Sequence, residues 1–138
     1  MSIQRKANAH WQGNGKNGKG TLTAPSGIFS QTPYSFATRF ESAKGTNPEE
    51  LIAAALSGCF SMKLAFILQE ANITPDDIKT EANVILDDGK ITTIELTTRV
   101  SAAGLSNEDF QRMAKEAKET CPVSQLMNAK ITLDAELD

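Results

Sequence analysis

The side chains of this sequence that are best suited to chemistry are two cysteines, Cys59 and Cys121, which stand far apart in the chain. A thiol can act as a nucleophile, a metal ligand or a disulfide partner. The chain has no CxxC pair and a single histidine, His10, so a zinc site would have too few ligands. We therefore expect no structural metal and look to thiol chemistry.

Length and composition describe the setting of these thiols. With 138 residues and 40% hydrophobic residues, the chain fits one domain over 1–138 whose core needs no disulfide staples. The first residues, MSIQRKANAHW, lack the apolar run of a signal peptide, so we expect a cytoplasmic protein. In that reducing compartment, a cysteine pair is more often free, catalytic or redox-sensing than a permanent disulfide. The net charge of −3 argues against a sequence-independent nucleic-acid binder.

Cys59 lies in the middle of a predicted helix. GTNPEEL is typical of a helix start, with Asn47 as N-cap, Pro48 at the first helical position and Glu50 three residues after the cap. The helix should run to about Ala71, through the almost entirely apolar LIAAALSGCFSMKLAFIL. A helix that is apolar all round must be wrapped by other structure, so we expect a central core helix and no membrane span. A cysteine there is most often a small buried thiol.

Cys121 has a different local setting. A second helix should start at Ser106, with Asp109 in the capping-box position, and Cys121 continues its apolar stripe of Phe110, Met113, Ala114 and Ala117. The helix must change at Pro122, because proline disfavours a helical conformation in the residue before it. Cys121 can then cap a short new turn over 122–125, whose amide groups would favour a thiolate.

The remaining segments read as strands. Two of them, over 5–12 and 21–24, flank the segment GNGKNGKG. This segment matches GxGxxG, but a nucleotide site would need a helix directly after the glycines, and none is predicted there. The segment is therefore better explained as a hairpin tip that carries Lys16 and Lys19. Alternation over 34–40 predicts a strand with Arg39 pointing away from the aromatic face. A hairpin turning at Asp88 and Gly89 and a carboxyl-terminal strand over 129–137 complete a mainly antiparallel α+β protein.

Four segments together closely resemble one family over essentially the whole chain. They are HWQGNGKNGKGTL, YSFATRFE, GTNPEELIAAALSGCFSMKL and CPVSQ. The resemblance is to osmotically inducible protein C and the organic hydroperoxide resistance proteins, and most to the osmotically inducible branch. It implies antiparallel sheets wrapped around a long central helix, an intertwined homodimer with sites at the subunit interface, and a thiol-dependent peroxidase without metal, haem or other cofactor.

The resemblance also implies roles for four residues. Cys59 matches the peroxidatic cysteine, Cys121 the resolving cysteine, Arg39 the active-site arginine and Glu49 its acidic partner. A hydroperoxide, organic or hydrogen peroxide, would convert Cys59 to a sulfenic acid, and Cys121 would condense with it to a disulfide that an external thiol or dithiol reduces. Glu50 competes for the role of Glu49, but as a capping residue it should be engaged elsewhere.

Helix geometry adds an expectation about assembly. Glu49 and Cys59 are ten residues apart on one predicted helix, which separates them by roughly 15 Å at about 1.5 Å per residue. Either Arg39 spans much of that gap, or the carboxylate and the arginine come from a second copy of the chain. An all-round apolar helix in so short a chain favours the second option, so we expect a dimer with two composite sites.

Two other functions fit the same residues. The chain could be a non-enzymatic, stress-associated dimer that binds a small apolar ligand, with both cysteines inert in the core. It could also be a thiol redox sensor that signals to a partner. The apolar residues Phe36, Phe40, Met62 and Met127 suggest a pocket for an alkyl tail around Cys59, although each one alone is more often simply core.

Overall fold

The structure, a computed structural model, describes the whole chain from Met1 to Asp138. Its residues form two compact units, Met1–Leu51 and Ile52–Asp138, which we describe separately. The long helix α2, Pro48–Glu70, begins in the first unit and continues through the second. The expectation of one domain over 1–138 stays a prediction.

The first unit is built on a three-stranded antiparallel sheet. Its strands are β1 (Asn8–Gln12), β2 (Lys19–Thr23) and β3 (Thr32–Tyr34), in the order β1-β2-β3. Gln12 pairs with Lys19, so the glycine-rich segment between them closes a hairpin and leads into a strand. The predicted hairpin is confirmed, and the first strand begins three residues later than expected.

Gly20 lets two aromatic rings meet over β2. A Cβ atom at this position would lie 2.5 Å from the ring of Tyr34 and 2.6 Å from that of Trp11. With glycine there, the two ring centroids are 5.4 Å apart in a tilted pair. A side chain at residue 20 would separate them.

The strand predicted over 34–40 is wrong beyond Tyr34. The chain turns at Ser35 into a short helix, α1 (Phe36–Phe40), because Ser35 and Thr38 form a reciprocal capping box. Thr38 N–H donates to Ser35 Oγ at 3.3 Å and Ser35 N–H donates to Thr38 Oγ1 at 2.7 Å. Arg39 therefore does not point away from the aromatic side chains; its guanidinium carbon lies 5.2 Å from the ring centroid of Phe40.

The second unit contains a mixed three-stranded sheet. Strands β4 (Asp77–Asp87) and β5 (Lys90–Ser101) form the predicted hairpin, which turns at Asp88 and Gly89 with φ angles of 50° and 78°. The predicted carboxyl-terminal strand, β6 (Lys130–Leu137), is also present. It pairs with β5 in parallel, whereas the other strand pairings are antiparallel. The mainly antiparallel α+β class is confirmed.

Helix α2 packs one face into the core of the second unit. Its buried residues are Leu56, Phe60, Leu64, Ile67 and Leu68, and they share that core with Ile94, Leu96 and Val100 of β5. The opposite face carries Met62 and Phe66, which are 64% and 54% exposed. Within the single chain, α2 is thus covered on one face, short of the all-round wrapping that its sequence predicts.

Helix α2 is also long and apolar enough to cross a membrane, with a mean hydropathy of 2.0. One such helix is weak evidence for a span, because the core helix of a soluble protein passes the same test.

Two further helices follow the sheet hairpin. Helix α3 (Asn107–Thr120) starts at the predicted N-cap, Ser106, whose Oγ accepts from the Asp109 N–H at 3.2 Å. Its predicted stripe of Phe110, Met113, Ala114 and Ala117 is buried. The predicted break at Pro122 is confirmed, because α4 (Pro122–Leu126) begins there with Cys121 as its N-cap residue.

Candidate active site

Cys59 and Cys121 meet in the second unit although 62 positions separate them in the chain. Their Sγ atoms lie 2.7 Å apart and share a hydrogen bond, with both residues present as free thiols. Cys59 is partly buried, whereas Cys121 is fully buried. A disulfide needs sulfurs about 2.05 Å apart, so bond formation requires only a small approach.

Cys121 is held by the junction of two helices. Its N–H donates to the carbonyl of Ala117 at 3.0 Å, and its own carbonyl accepts from the Gln125 N–H at 3.0 Å. The residue itself is extended, with φ −61° and ψ 126°, as proline demands of its predecessor. This break directs the Cys121 side chain into the core, where Cys59 contacts it.

A chain of hydroxyl groups ties α2 to the sheet two residues after Cys59. Ser61 Oγ donates to Thr80 Oγ1 at 2.7 Å, and the hydroxyls of Thr80 and Thr98 lie 2.9 Å apart. Thr98 is fully buried and donates in turn to the carbonyl of Lys79 at 3.2 Å. Each oxygen in this path has a partner, and the path links α2 to the sheet beside Cys59.

The two thiols have pKa values that move in opposite directions. Burial raises the pKa of Cys59, and the hydrogen bond with Cys121 raises it further, against smaller opposing effects of the Val123 amide and the Lys63 charge. Burial also raises the pKa of Cys121, but the contact with Cys59 and the nearby polar groups of Ser124 and Val123 outweigh it and leave the pKa lowered. The two thiols therefore titrate as one coupled pair.

A cavity of about 290 Å³ lies beside Cys59. It is lined by Cys59, Met62, Lys63, Phe66, Thr120 and Pro122. Because Met62 and Phe66 are largely exposed, the cavity opens to solvent. Its wall is apolar apart from Thr120 and the ammonium group of Lys63, which lies one helical turn after Cys59. The cavity can therefore take an alkyl group next to a sulfur atom.

The four residues that the sequence suggested for an alkyl pocket do not all lie beside Cys59. Met62 lines the cavity beside Cys59, whereas Met127 packs against the core and is not part of its wall. Phe36 and Phe40 line a separate cavity of about 110 Å³ within the first unit, together with Trp11, Tyr34 and Arg39. A larger concavity of about 600 Å³ on the first sheet, lined among others by His10 and Lys19, holds no cysteine.

Arg39 and Glu49 form a bidentate ion pair in the first unit. Arg39 Nε donates to Glu49 Oε1 at 2.9 Å and Nη2 donates to Oε2 at 3.0 Å. This pairing raises the pKa of the Arg39 guanidinium above its ordinary value, mainly through the hydrogen bonds with Glu49. The planar fork of arginine suits a carboxylate in this way, and lysine could not replace it.

Glu50 is occupied elsewhere, as its capping position predicts. Its N–H donates to Asn47 Oδ1 at 2.7 Å, which confirms Asn47 as the capping side chain. Its carboxylate accepts from Thr46 Oγ1 at 2.8 Å. Glu49 is therefore the carboxylate that is free to hold Arg39.

The four residues singled out from the sequence thus form two pairs, Cys59 with Cys121 and Arg39 with Glu49. Their catalytic roles stay predictions. From the sequence alone, neither Lys63 nor Ser124 has an assigned role. The spacing of four residues between Cys59 and Lys63 is a signal that could have placed the lysine beside the thiol.

Comparisons with known proteins agree with the motifs. A family model described as "OsmC-like protein" matches residues 41–136. Peroxiredoxin OsmC of Escherichia coli (strain K12) is 49% identical over 99% of both chains. The organic hydroperoxide resistance protein OhrB of Bacillus subtilis (strain 168) is 30% identical over 86% of this chain and 88% of its own.

A solved structure supports the fold in the same way. The crystal structure of OhrB of Bacillus subtilis has a TM-score of 0.65 and 27% identity, covering 96% of this chain and 98% of that chain. The higher identity to the OsmC relative than to the OhrB relative agrees with the branch that the motifs favour. The family predicted from the motifs is confirmed: this chain belongs to the OsmC-like protein family.

Proposed function

We propose that this chain is a cysteine-based peroxidase that reduces organic hydroperoxides to alcohol and water at the expense of an external thiol or dithiol. The observation that carries the proposal is the contact of 2.7 Å between the sulfurs of Cys59 and Cys121, of which only Cys59 borders an open cavity. The full-length relative named a peroxiredoxin and the relatives named organic hydroperoxide resistance proteins support it.

In the first step, the Cys59 thiolate attacks the terminal oxygen of the hydroperoxide. A sulfur–oxygen bond forms, the O–O bond breaks, and the alkoxide leaves with a proton as the alcohol. In the second step, the sulfur of Cys121 attacks the sulfenic sulfur of Cys59, and the hydroxyl leaves as water. The two thiols lose two electrons in total, which reduce the peroxide, and the product is a disulfide.

In this reaction, Arg39 would help to form the Cys59 thiolate, and Glu49 would hold Arg39 in place. Burial and, to a smaller extent, the contact with Cys121 raise the pKa of Cys59. The reaction, however, needs Cys59 as a thiolate. A guanidinium would lower that pKa and stabilise the departing alkoxide, and Glu49 keeps the guanidinium in one orientation. We assign this role to Arg39 because its motif and its bidentate partner both match the family's pattern.

The cavity beside Cys59 supports an organic substrate. Its apolar wall includes Met62 and Phe66, which would gain contacts with an alkyl or aryl group. Hydrogen peroxide would gain nothing from this wall. We therefore propose that organic hydroperoxides are the better substrates and that hydrogen peroxide is a poorer one.

We also propose that the working unit is a homodimer. Exposed residues Ala54, Gly58, Met62 and Phe66 recur every four positions and form an apolar stripe along α2. A second copy packed on the Ala54 and Gly58 end of this stripe would cover α2 where the single chain does not, and would leave the cavity open past Met62 and Phe66. Since Arg39 and Glu49 pair within one chain, they would act as one unit, on the cysteines of either their own chain or the partner.

The test of the function is a titration of reduced protein with cumene hydroperoxide. One equivalent should consume both thiols and form the Cys59–Cys121 disulfide, and a dithiol should then sustain turnover. Cys59→Ser should abolish turnover, and Cys121→Ser should leave a sulfenic acid on Cys59. Thiols that stay reduced in excess peroxide would favour the ligand-binding function, and oxidation without turnover under any dithiol would favour the redox sensor.

A further inference from the structure

Ser124, in the CPVSQ segment, is a buried residue whose hydroxyl lacks a partner. It is 8% exposed, and its Oγ has no hydrogen bond in the structure. Leaving a buried hydroxyl unsatisfied costs free energy, and most such groups in proteins are paired. The peroxide chemistry proposed above assigns Ser124 no task. This cost would disappear in a state of the site in which the Ser124 hydroxyl has a hydrogen-bond partner.

Ser124 lies in the first turn of α4, three residues after the N-cap residue Cys121, and both residues are buried. Burial raises the pKa of the Cys121 thiol, but the hydroxyl and amide of Ser124, with the amide of Val123 and the thiol of Cys59, bring it below its ordinary value. A neutral thiol is a weak acceptor, whereas a thiolate accepts hydrogen bonds strongly. The hydroxyl of Ser124 thus gains its partner when Cys121 carries a negative charge.

The two sulfurs also differ in access from outside. Cys121 is fully buried, whereas Cys59 lines the cavity that opens past Met62 and Phe66. An attacking thiolate must reach one sulfur of a disulfide and expel the other. From the cavity, the incoming thiolate can reach Cys59, so the leaving group is Cys121.

We propose that reduction of the Cys59–Cys121 disulfide proceeds only through Cys59, and that Ser124 stabilises the Cys121 thiolate that leaves. This inference rests on the proposed peroxidase cycle, whose reductive half it specifies. The thiolate of an external dithiol forms a bond with the sulfur of Cys59, and the disulfide bond breaks with its electron pair on Cys121. The second thiol of the reductant then attacks the mixed disulfide, so Cys59 leaves as a thiolate and the reductant departs as a cyclic disulfide.

Atoms and electrons balance over these two reduction steps. The dithiol supplies two electrons and two protons, and the two protein thiols receive them. A lower pKa of the leaving thiol speeds its departure, so the donors around Cys121 act on the rate of reduction. The donors of Ser124 and Val123 have no contact with the peroxide, since neither residue lines the cavity.

The experiment uses the intact protein oxidised with diamide, so that its outcome does not depend on reaction with peroxide. The disulfide form is treated with 2-mercaptoethanol, a monothiol, quenched in acid and alkylated, and the site of the mixed disulfide is mapped by mass spectrometry. The expected adduct is on Cys59, with Cys121 alkylated. An adduct on Cys121 would overturn the proposal, and this mapping uses only the unmodified protein.

The role of Ser124 is tested by rates and by a pH profile. Ser124→Ala should slow reduction of the diamide-formed disulfide by dithiothreitol roughly fivefold, because the leaving thiolate loses a donor. Diamide should still form the disulfide in full in this variant, and Ser124→Thr should restore the rate of reduction. In a Cys59→Ser background, Ser124→Ala should also raise the pKa of Cys121, read from the ultraviolet absorbance of the thiolate.

Ser57→Ala is the matched control, because Ser57 bonds only to the Ala54 carbonyl of its own helix. Its reduction rate should equal that of the unmodified protein. If Ser124→Ala is reduced at the unmodified rate, Ser124 has no such role. If peroxide fails to oxidise the thiols while the diamide-formed disulfide behaves as expected, the proposed function fails and this inference about the disulfide stands.

Discussion

The guanidinium of Arg39 binds the carboxylate of Glu49 through two hydrogen bonds of 2.9 and 3.0 Å within one chain. Ten residues separate them, and a capping box at Ser35 sets the direction of the short helix that carries Arg39. The neighbouring carboxylate, Glu50, is held by Thr46 and cannot substitute without losing that bond. Two adjacent glutamates therefore have separate tasks, which allows a matched test.

Glu49→Gln should lower peroxidase activity about tenfold, because the amide holds the guanidinium with one acceptor and no charge. Glu50→Gln is the control and should keep most of the activity. The measurement is kcat/KM for cumene hydroperoxide at saturating dithiol. Equal losses in the two variants would contradict the separate tasks.

In Arg39→Gln, which lacks the guanidinium, the Cys59 thiol should react more slowly at neutral pH than an ordinary cysteine when tested with a neutral alkylating agent. Burial and the contact with Cys121 raise its pKa, so less thiolate is present below the ordinary thiol range and the rate climbs as pH rises. The measurement is the pH profile of iodoacetamide labelling, resolved by peptide mass spectrometry.

Two variants should shift that profile in opposite directions. Cys121→Ser removes the coupling with a second thiol that raises the pKa of Cys59, so the profile should move to lower pH. Lys63→Met removes a positive charge that lowers it, so the profile should move to higher pH. A profile that Lys63→Met leaves in place would show that this lysine does not act on the thiol.

The hydroxyl chain beneath α2 should contribute measurably to stability. Ser61→Ala leaves Thr80 without the donor that reaches it from α2, and we expect a loss of about 1–2 kcal/mol in the free energy of unfolding by urea. Ser57→Ala, whose hydroxyl bonds only within its own helix, should cost less than about 0.5 kcal/mol. Similar losses in both variants would mean that the chain of hydroxyls adds nothing specific.

The exposed stripe on α2 should be an interface between copies. Ala54→Glu places a charge on the stripe away from the cavity residues and should yield a monomer in light scattering after size exclusion. Ala103→Glu, at another exposed alanine, should leave a dimer. A protein that is monomeric without any substitution would contradict the proposed assembly, as would undiminished peroxidase activity in the Ala54→Glu monomer.

Much of the fold could be predicted because its signals are local and repeated. The start of α2 at Pro48, the turn at Asp88 and Gly89 and the break after Cys121 each follow from backbone chemistry at a few positions. The segment 34–40 could not be assigned in the same way. Five residues fit a strand or a helix by alternation alone, and the capping box at Ser35 decides for the helix.

The site was harder to predict than the fold. Motifs singled out Cys59 and Cys121, but their contact depends on how α2 and α3 pack, which no local pattern contains. The buried, unpaired hydroxyl of Ser124 and the position of Lys63 in the cavity wall likewise emerge only from packing. The charge of Lys63 in an apolar helix was visible, whereas its task was not.

The most direct measurement is the titration of reduced protein with one equivalent of cumene hydroperoxide, followed by thiol counting and peptide mapping. We predict the loss of both thiols, one Cys59–Cys121 disulfide and one cumyl alcohol per chain, with no oxidation in Cys59→Ser. Two thiols that persist in the presence of excess hydroperoxide would contradict it.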